Sequence, residues 1–315
     1  MKNYLKNAGI LLMAIATFTA CSKDENDDAQ AESYNTTFKI TDAPIDNAAV
    51  EAVFVTVASV KVDNKELEGF TKSTFNLAAL VNGSTKTLGN LNLTSKTYSR
   101  IVLELDYDLD VNGNAPGCYV EMANGEKDKL SASANEIIIN NTFDVFATAT
   151  NEIIIDFDLR KTIKQESEST TDFEFVTTAE LTSGIRAINK ESTSKISGTV
   201  SDANNTSDKI VVYAYKKGSY NADIETKGQG ASNVTFANAI TSSEANGTTG
   251  SYNLNFLQEG DYELIFVSYK NNTSNSGFNF NAELAAESTT GLNLGAISVT
   301  SALQLTANVT ITGTK

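Results

Sequence analysis

Asp108-Leu109-Asp110-Val111-Asn112-Gly113 sets three oxygen-bearing side chains at alternate positions ahead of a glycine, which is how a calcium-binding loop begins. Such a loop needs oxygen ligands at that spacing and a glycine for its sharp turn. The bidentate glutamate that completes it is due six residues past the glycine, where Tyr119 stands, and Glu121 lies two further on. Ca2+ at Asp108, Asp110 and Asn112 therefore competes with a plainer reading, a solvated acidic strand face that runs into a hairpin turn. Asp156 and Asp158 are a second pair. Two apart on an alternating segment, they point to one side, as the two carboxylates of a glycoside hydrolase do. Arg160 shares that side, and a surface ion pair is their duller role. Tyr213, Tyr215, Tyr220, Tyr252, Tyr262 and Tyr269 offer either a binding face or half-buried core packing.

What is missing narrows the chemistry further. The 315 residues contain no histidine and no tryptophan. Ser-His-Asp triads, Cys-His dyads and His-ligated zinc are excluded, and so is the tryptophan platform on which sugars commonly stack. The formal charge is −15, and removal of residues 1–20 takes away Lys2 and Lys6 and no acid, leaving 22 − 39 = −17. A phosphate backbone would be repelled, so nucleic acid is not an expected partner. Cys118 reads as a small buried residue of a strand, since no partner base accompanies it.

The positioning elements begin after an export signal. Met1 to Lys6 is basic, Ala8 to Phe18 is apolar, and Phe18-Thr19-Ala20-Cys21 closes the run. About a dozen apolar residues are too few to span a bilayer, which takes ~20, but they suit a signal-peptide core. The last four residues resemble a bacterial lipobox, with Phe18 where leucine is commonest. The expectation is a signal peptide over 1–20 and lipid attachment at Cys21, with two or three acyl chains holding the protein to a membrane. Residues 21–33 have no hydrophobic period and read as a flexible acidic tether. Lys23-Asp24-Glu25-Asn26-Asp27-Asp28 resembles the surface-export signal of Bacteroidota lipoproteins, so an outer-membrane, outward-facing lipoprotein is expected, with a periplasm-facing one as the alternative.

Strand alternation dominates the rest. In 34–190, Val53, Val55 and Val57 switch register to Val60 and Val62, which calls for a β-bulge near Ala58-Ser59. Ile101, Leu103, Leu105, Tyr107, Leu109 and Val111 alternate with Glu104, Asp106, Asp108 and Asp110, predicting one long strand with an acidic face. Ile153, Ile155, Phe157 and Leu159 predict another. Asn112-Gly113 and Asn124-Gly125 supply turns, and 75–80 is the best candidate for a short helix. In 194–315, Lys195 to Val200 and Ile210 to Tyr215 read as strands. Gly250 to Phe256 and Gly260 to Leu264 predict two strands joined by a short turn, and Leu292 to Ile311 predicts two closing strands. The fold class expected is all-β, as two tandem β-sandwich domains after the signal peptide and acidic tether.

Five segments of the first domain carry a family resemblance: Thr41-Asp42-Ala43-Pro44, the valine-rich strand, 76–83, Tyr98 to Leu103, and Ile155 to Ile163. In that order they resemble the domain-of-unknown-function family 4382 (DUF4382) of bacterial and archaeal lipoproteins. The resemblance implies an extracytoplasmic β-sandwich and no catalytic residues. Lys195 to Tyr269 resembles the transthyretin-like, carboxypeptidase-regulatory type of small β-sandwich, stretched by the polar segment Gly228 to Thr249. Such modules act as spacers, stabilisers or docking units. The functional expectation is a non-enzymatic envelope lipoprotein for binding, adhesion or accessory work, with polysaccharide or other envelope proteins as partners. The alternatives are a carboxylate-based glycan hydrolase and an accessory subunit of an outer-membrane nutrient-uptake system.

Overall fold

β-Branched and aromatic residues at period two make nearly every element of the chain a strand. The computed structural model describes residues 32–42, 50–148, 150–165, 172–204, 207–272 and 277–315, all within one compact unit, Glu32–Lys315. Cys21, its lipobox, residues 21–31 of the acidic tether and the Ala43-Pro44 turn lie outside the described residues; the tether's expected last residue, Ser33, instead opens the strand Ser33–Thr41, paired with Thr94. The protein is all-β, with helices of a turn or two, and no described helix is long and apolar enough to cross a membrane.

The first module packs two sheets face to face. One has the order Ile185–Asn189, Asn151–Phe157, Ser33–Thr41, Lys86–Thr94, and its two central strands are parallel. The other is built around Val50–Val62, which pairs with Ile101–Leu105, Tyr119–Met122, Lys65–Glu66 and Ser73–Asn76. Phe38, Ile40, Ile153, Ile155 and Phe157 meet Val53, Val55, Val57, Val60 and Leu103 in one core. The expected bulge is present: register shifts between Val57 and Ser59, so Val57 and Val60 both face inward. Residues 77–79 form a single 3-10 turn, and Asn124-Gly125 turns the hairpin between Tyr119–Met122 and Lys127–Lys129.

The long strand expected over 101–111 is not formed. It stops at Leu105, because the Asp106 carboxylate accepts the backbone N–H groups of Asp108 and Leu109 at 3.0 Å and bends the chain out of the sheet. Leu109 and Val111 are 44% and 51% exposed instead of buried. The Asn112-Gly113 turn lies inside this loop and does not join two strands. The second expected strand also ends early, at Phe157, and Leu159 opens a helical turn over Leu159–Thr162.

In the second module a single sheet folds over on itself. Its order is Thr241–Glu244, Lys209–Lys216, Gly260–Asn271, Phe278–Ser288, Val309–Thr314, Thr193–Ser201, Ser251–Gln258. The two end strands meet where the Asn253 N–H donates to Ser243 Oγ at 3.0 Å, enclosing Ile196, Val212, Tyr252, Leu254, Phe266, Leu284 and Ile311. Ser251–Gln258 and Gly260–Asn271 do follow one another, yet they pair with Thr193–Ser201 and Lys209–Lys216 rather than with each other. The closing region holds three short strands, Ile297–Val299, Gln304–Thr306 and Val309–Thr314, with Leu292 and Leu294 in the loop before them. Phe278–Ser288 has no counterpart in the expectations. Register shifts at both its edges break the alternation that would have announced it.

The polar stretch 228–249 is not an idle insertion. Its Phe236 and Ala239 cover the outer face of Lys209–Lys216 and Gly260–Asn271, forming a second core with Val211, Tyr213, Tyr215, Val267 and Tyr269.

Candidate functional site: the charged seam between the modules

The carboxylate pair singled out in the sequence lies where the two modules meet. Asp156 sits on Asn151–Phe157 directly opposite Arg186 of Ile185–Asn189. The Arg186 Nε and Nη2 donate to Asp156 Oδ2 at 2.9 and 2.7 Å. Asp158 immediately precedes the turn Leu159–Thr162, and its Oδ2 accepts Arg160 Nη2 at 2.7 Å with Lys161 Nζ 3.7 Å away. The helical turn takes its cap from elsewhere, as the Leu159 N–H donates to Asp42 Oδ1 at 2.9 Å. Three of the quoted motif segments thereby converge. Asp42 N–H and Thr41 Oγ1 both donate to the Leu80 carbonyl, and Asp42 in turn holds the start of the Asp158–Lys161 turn.

From this platform the side chains reach the second module. Arg160 Nη1 donates to the Phe236 carbonyl at 2.6 Å, with its guanidinium 5.2 Å from the Tyr213 ring centroid. Lys161 Nζ donates to the Ala239 carbonyl. Burial pushes the Lys161 ammonium down to about 8, with Asp158 opposing and Arg160 adding to the fall. Glu180 forms a capping box with Thr177 at the start of Thr178–Ser183. The same carboxylate accepts the Ser232 N–H at 3.0 Å and the Ser232 hydroxyl at 2.6 Å. Burial works to raise its pKa, but the Ser232 and Thr177 donors outweigh it and hold Glu180 at about 2. Gly230, at φ +71°, lets the segment close on Glu180: a Cβ there would stand 2.1 Å from Oε1.

The duller reading of the pair needs one correction, because these ion pairs are not on the surface. Asp156 and Asp158 are 4% and 5% exposed. Each is held by its own arginine, and the neighbouring cavity is about 130 Å3, under half the low end of the range for ligand pockets. The arrangement can neutralise charge and grip backbone carbonyls.

The other candidates each make structural contacts. Asp110 Oδ1 accepts the N–H groups of Asn112 and Asn114 at 2.8 Å, and Lys129 pairs with Asp108 at 2.6 Å. By accepting these two backbone N–H groups, the Asp110 carboxylate shapes the loop. Among the described residues no group of three or more acidic or cysteine side chains stands close enough to hold a metal ion. Cys118 is fully buried just before Tyr119–Met122, where the Thr56 N–H donates to its sulfur at 3.3 Å and burial pushes the thiol up to about 12. Tyr213, Tyr215, Tyr252, Tyr262 and Tyr269 are buried in the two cores, and Tyr220 is partly buried beside Tyr215. A tyrosine binding face is not formed. Sequence reasoning missed Arg186, Lys161, Glu180 and Ser232; the Thr177-x-x-Glu180 spacing of a capping box was the one signal available for Glu180.

Residues 35–175 match the family described as Domain of unknown function (DUF4382). The matching segment contains Asp42, Asp156, Asp158, Arg160 and Lys161, whereas Phe236 and Ala239, which Arg160 and Lys161 grip, lie beyond it. No curated protein matches the chain. Among solved structures, the chain is similar to the Bacillus anthracis TIE protein at 10% identity, covering 88% of this chain and 34% of that one at TM-score 0.20. It is similar to BcpA, the major pilin subunit of Bacillus cereus, at 9% identity over 89% and 70% of the two chains at TM-score 0.20. It is similar to the pilus-presented adhesin Cpa at 9% identity over 89% and 99% at TM-score 0.22. The chain thus spans about a third of the first of these.

Proposed function

We propose that this chain is a non-enzymatic lipoprotein of the bacterial outer membrane, anchored through Cys21 and exposed outward, that presents its β body for binding, adhesion or accessory work with polysaccharide or other envelope proteins. In this reading residues 34–190 form the DUF4382-type domain, and 194–315 a transthyretin-like, carboxypeptidase-regulatory type of module serving as spacer or docking unit. The observation that carries the reading is the fate of the carboxylates. Asp156 and Asp158, the pair best spaced for hydrolysis, are buried and held by Arg186 and Arg160. Support for the anchor comes from the sequence alone, in the basic–apolar–Cys21 succession and the acidic residues after it.

Metabolic labelling with a palmitate analogue, in cells expressing the full chain or Cys21→Ser, tests the anchor. Label is expected in the native chain and lost in the variant, and protease added to intact cells is expected to remove the body. An unlabelled native chain would overturn the anchor, and protection from protease would leave the periplasm-facing arrangement. A panel of purified polysaccharides tests the rest: turnover abolished by Asp156→Asn or Asp158→Asn would replace this reading with a hydrolase.

A further inference from the structure

The segment 228–240 has two unlike sides. Toward its own module it is apolar: Phe236 stacks on Tyr213 at 4.4 Å between ring centroids, and Ala239 is buried in the same core. Toward the first module it is met chiefly by polar groups, namely Arg160 on the Phe236 carbonyl, Lys161 on the Ala239 carbonyl and Glu180 on Ser232, with Val234 adding an apolar contact. Farther along the same boundary Asn255 lies against Gly83, another polar contact. The covalent link is elsewhere. It is the single turn Lys190–Ser192, which leaves the first module from Asn189, opposite Ile153, while the seam begins at Asp158, past the other end of the same strand.

We propose that the seam is a latch: the second module, with segment 228–240 fixed to it, swings from the first about the turn Lys190–Ser192, and the Arg160–Lys161–Glu180 surface is what opens. The side that lets go is the one whose groups water can satisfy, at the loss of the Arg160 contact with the Tyr213 ring, whereas parting Phe236 from Tyr213 would cost hydrophobic burial. Closure also leaves a debt at the seam, because Asp158 Oδ1 is buried without a hydrogen-bond partner. Opening hydrates that oxygen while the Arg160–Asp158 pair stays intact within the first module.

Pulsed electron–electron distance measurement on the full chain with Ser84→Cys and Gln258→Cys spin labels reads the swing directly, since both positions are exposed and flank the Gly83–Asn255 contact. The result expected is a main distance matching the closed seam and a minor, longer one that rises about twofold or more in Glu180→Gln. Amide exchange on the same chains should show the Ser232 N–H exchanging faster in Glu180→Gln, with the ladder amides of Tyr213 and Val55 unchanged. A single distance in both chains, or a Ser232 amide that exchanges only as fast as the core amides, would overturn the latch. So would a variant that loses protection throughout.

Discussion

Glu180 and Ser232 stand 52 residues apart in the chain, yet one carboxylate accepts both the backbone N–H and the hydroxyl of that serine. The contact joins the capping box of a two-turn helix in one module to the strap of the other. It makes Glu180 both the start signal of a helix and the fastening between two cores.

Acid is expected to loosen this fastening. The Glu180 pKa is about 2 in the fold against 4.5 outside it, so its contribution is fully present above about 4.5 and is lost as pH falls toward 2. Because the side chain is partly exposed, Glu180→Gln should cost only about 1–2 kcal/mol at pH 7. Urea titrations of both chains at pH 7 and pH 2.5 check this: the gap between them should shrink at the lower pH. An equal gap at both would remove the charge from the explanation.

Lys161 runs the other way. Its folded pKa of about 8 lies below the ordinary 10.5, so the unfolded chain binds the extra proton between those values and this group's contribution to stability rises with pH across that window. Comparison with Lys161→Met isolates it from Cys118, whose raised thiol pKa acts in the opposite sense above pH 9. The stability difference should move in favour of the native chain from pH 8 to 10.5.

The Asp156–Arg186 pair should behave as a buried one. Removing one partner, as in Arg186→Met, is expected to cost about 3–5 kcal/mol by leaving Asp156 uncompensated, and Asp156→Leu combined with Arg186→Met should recover much of it. A double-mutant cycle by chemical denaturation measures the coupling. Additive losses would mean that water reaches the pair.

The thiol at Cys118 should be silent in the native state. Buried and pushed up to about 12, it is expected to resist a thiol reagent at pH 8 and to react fully once urea unfolds the chain.

Leu103 and Leu109 separate the sequence pattern from the fold. Leu103→Ala is expected to cost about 2–5 kcal/mol and Leu109→Ser less than about 0.5. Similar losses at both sites would restore the long strand that Asp106 interrupts.

Alternation by itself determined the all-β class, the inward faces of Val50–Val62 and Asn151–Phe157, and the bulge at Ala58-Ser59, because a period of two and its one-residue slip are local properties of the chain. The motif segments likewise pointed to the DUF4382 match. Tertiary structure decided what local pattern could not carry. Asp106 spent its carboxylate on a turn, and Tyr213, Tyr215 and Tyr269 became core because segment 228–240 covers the outer face of their strands. Asp156 found Arg186, 30 residues along the chain, and the seam buried the Asp158–Arg160 pair that spacing had placed on the surface. Burial and partnership are set by whichever residues the fold brings from far along the chain, and neither composition nor spacing records which those are.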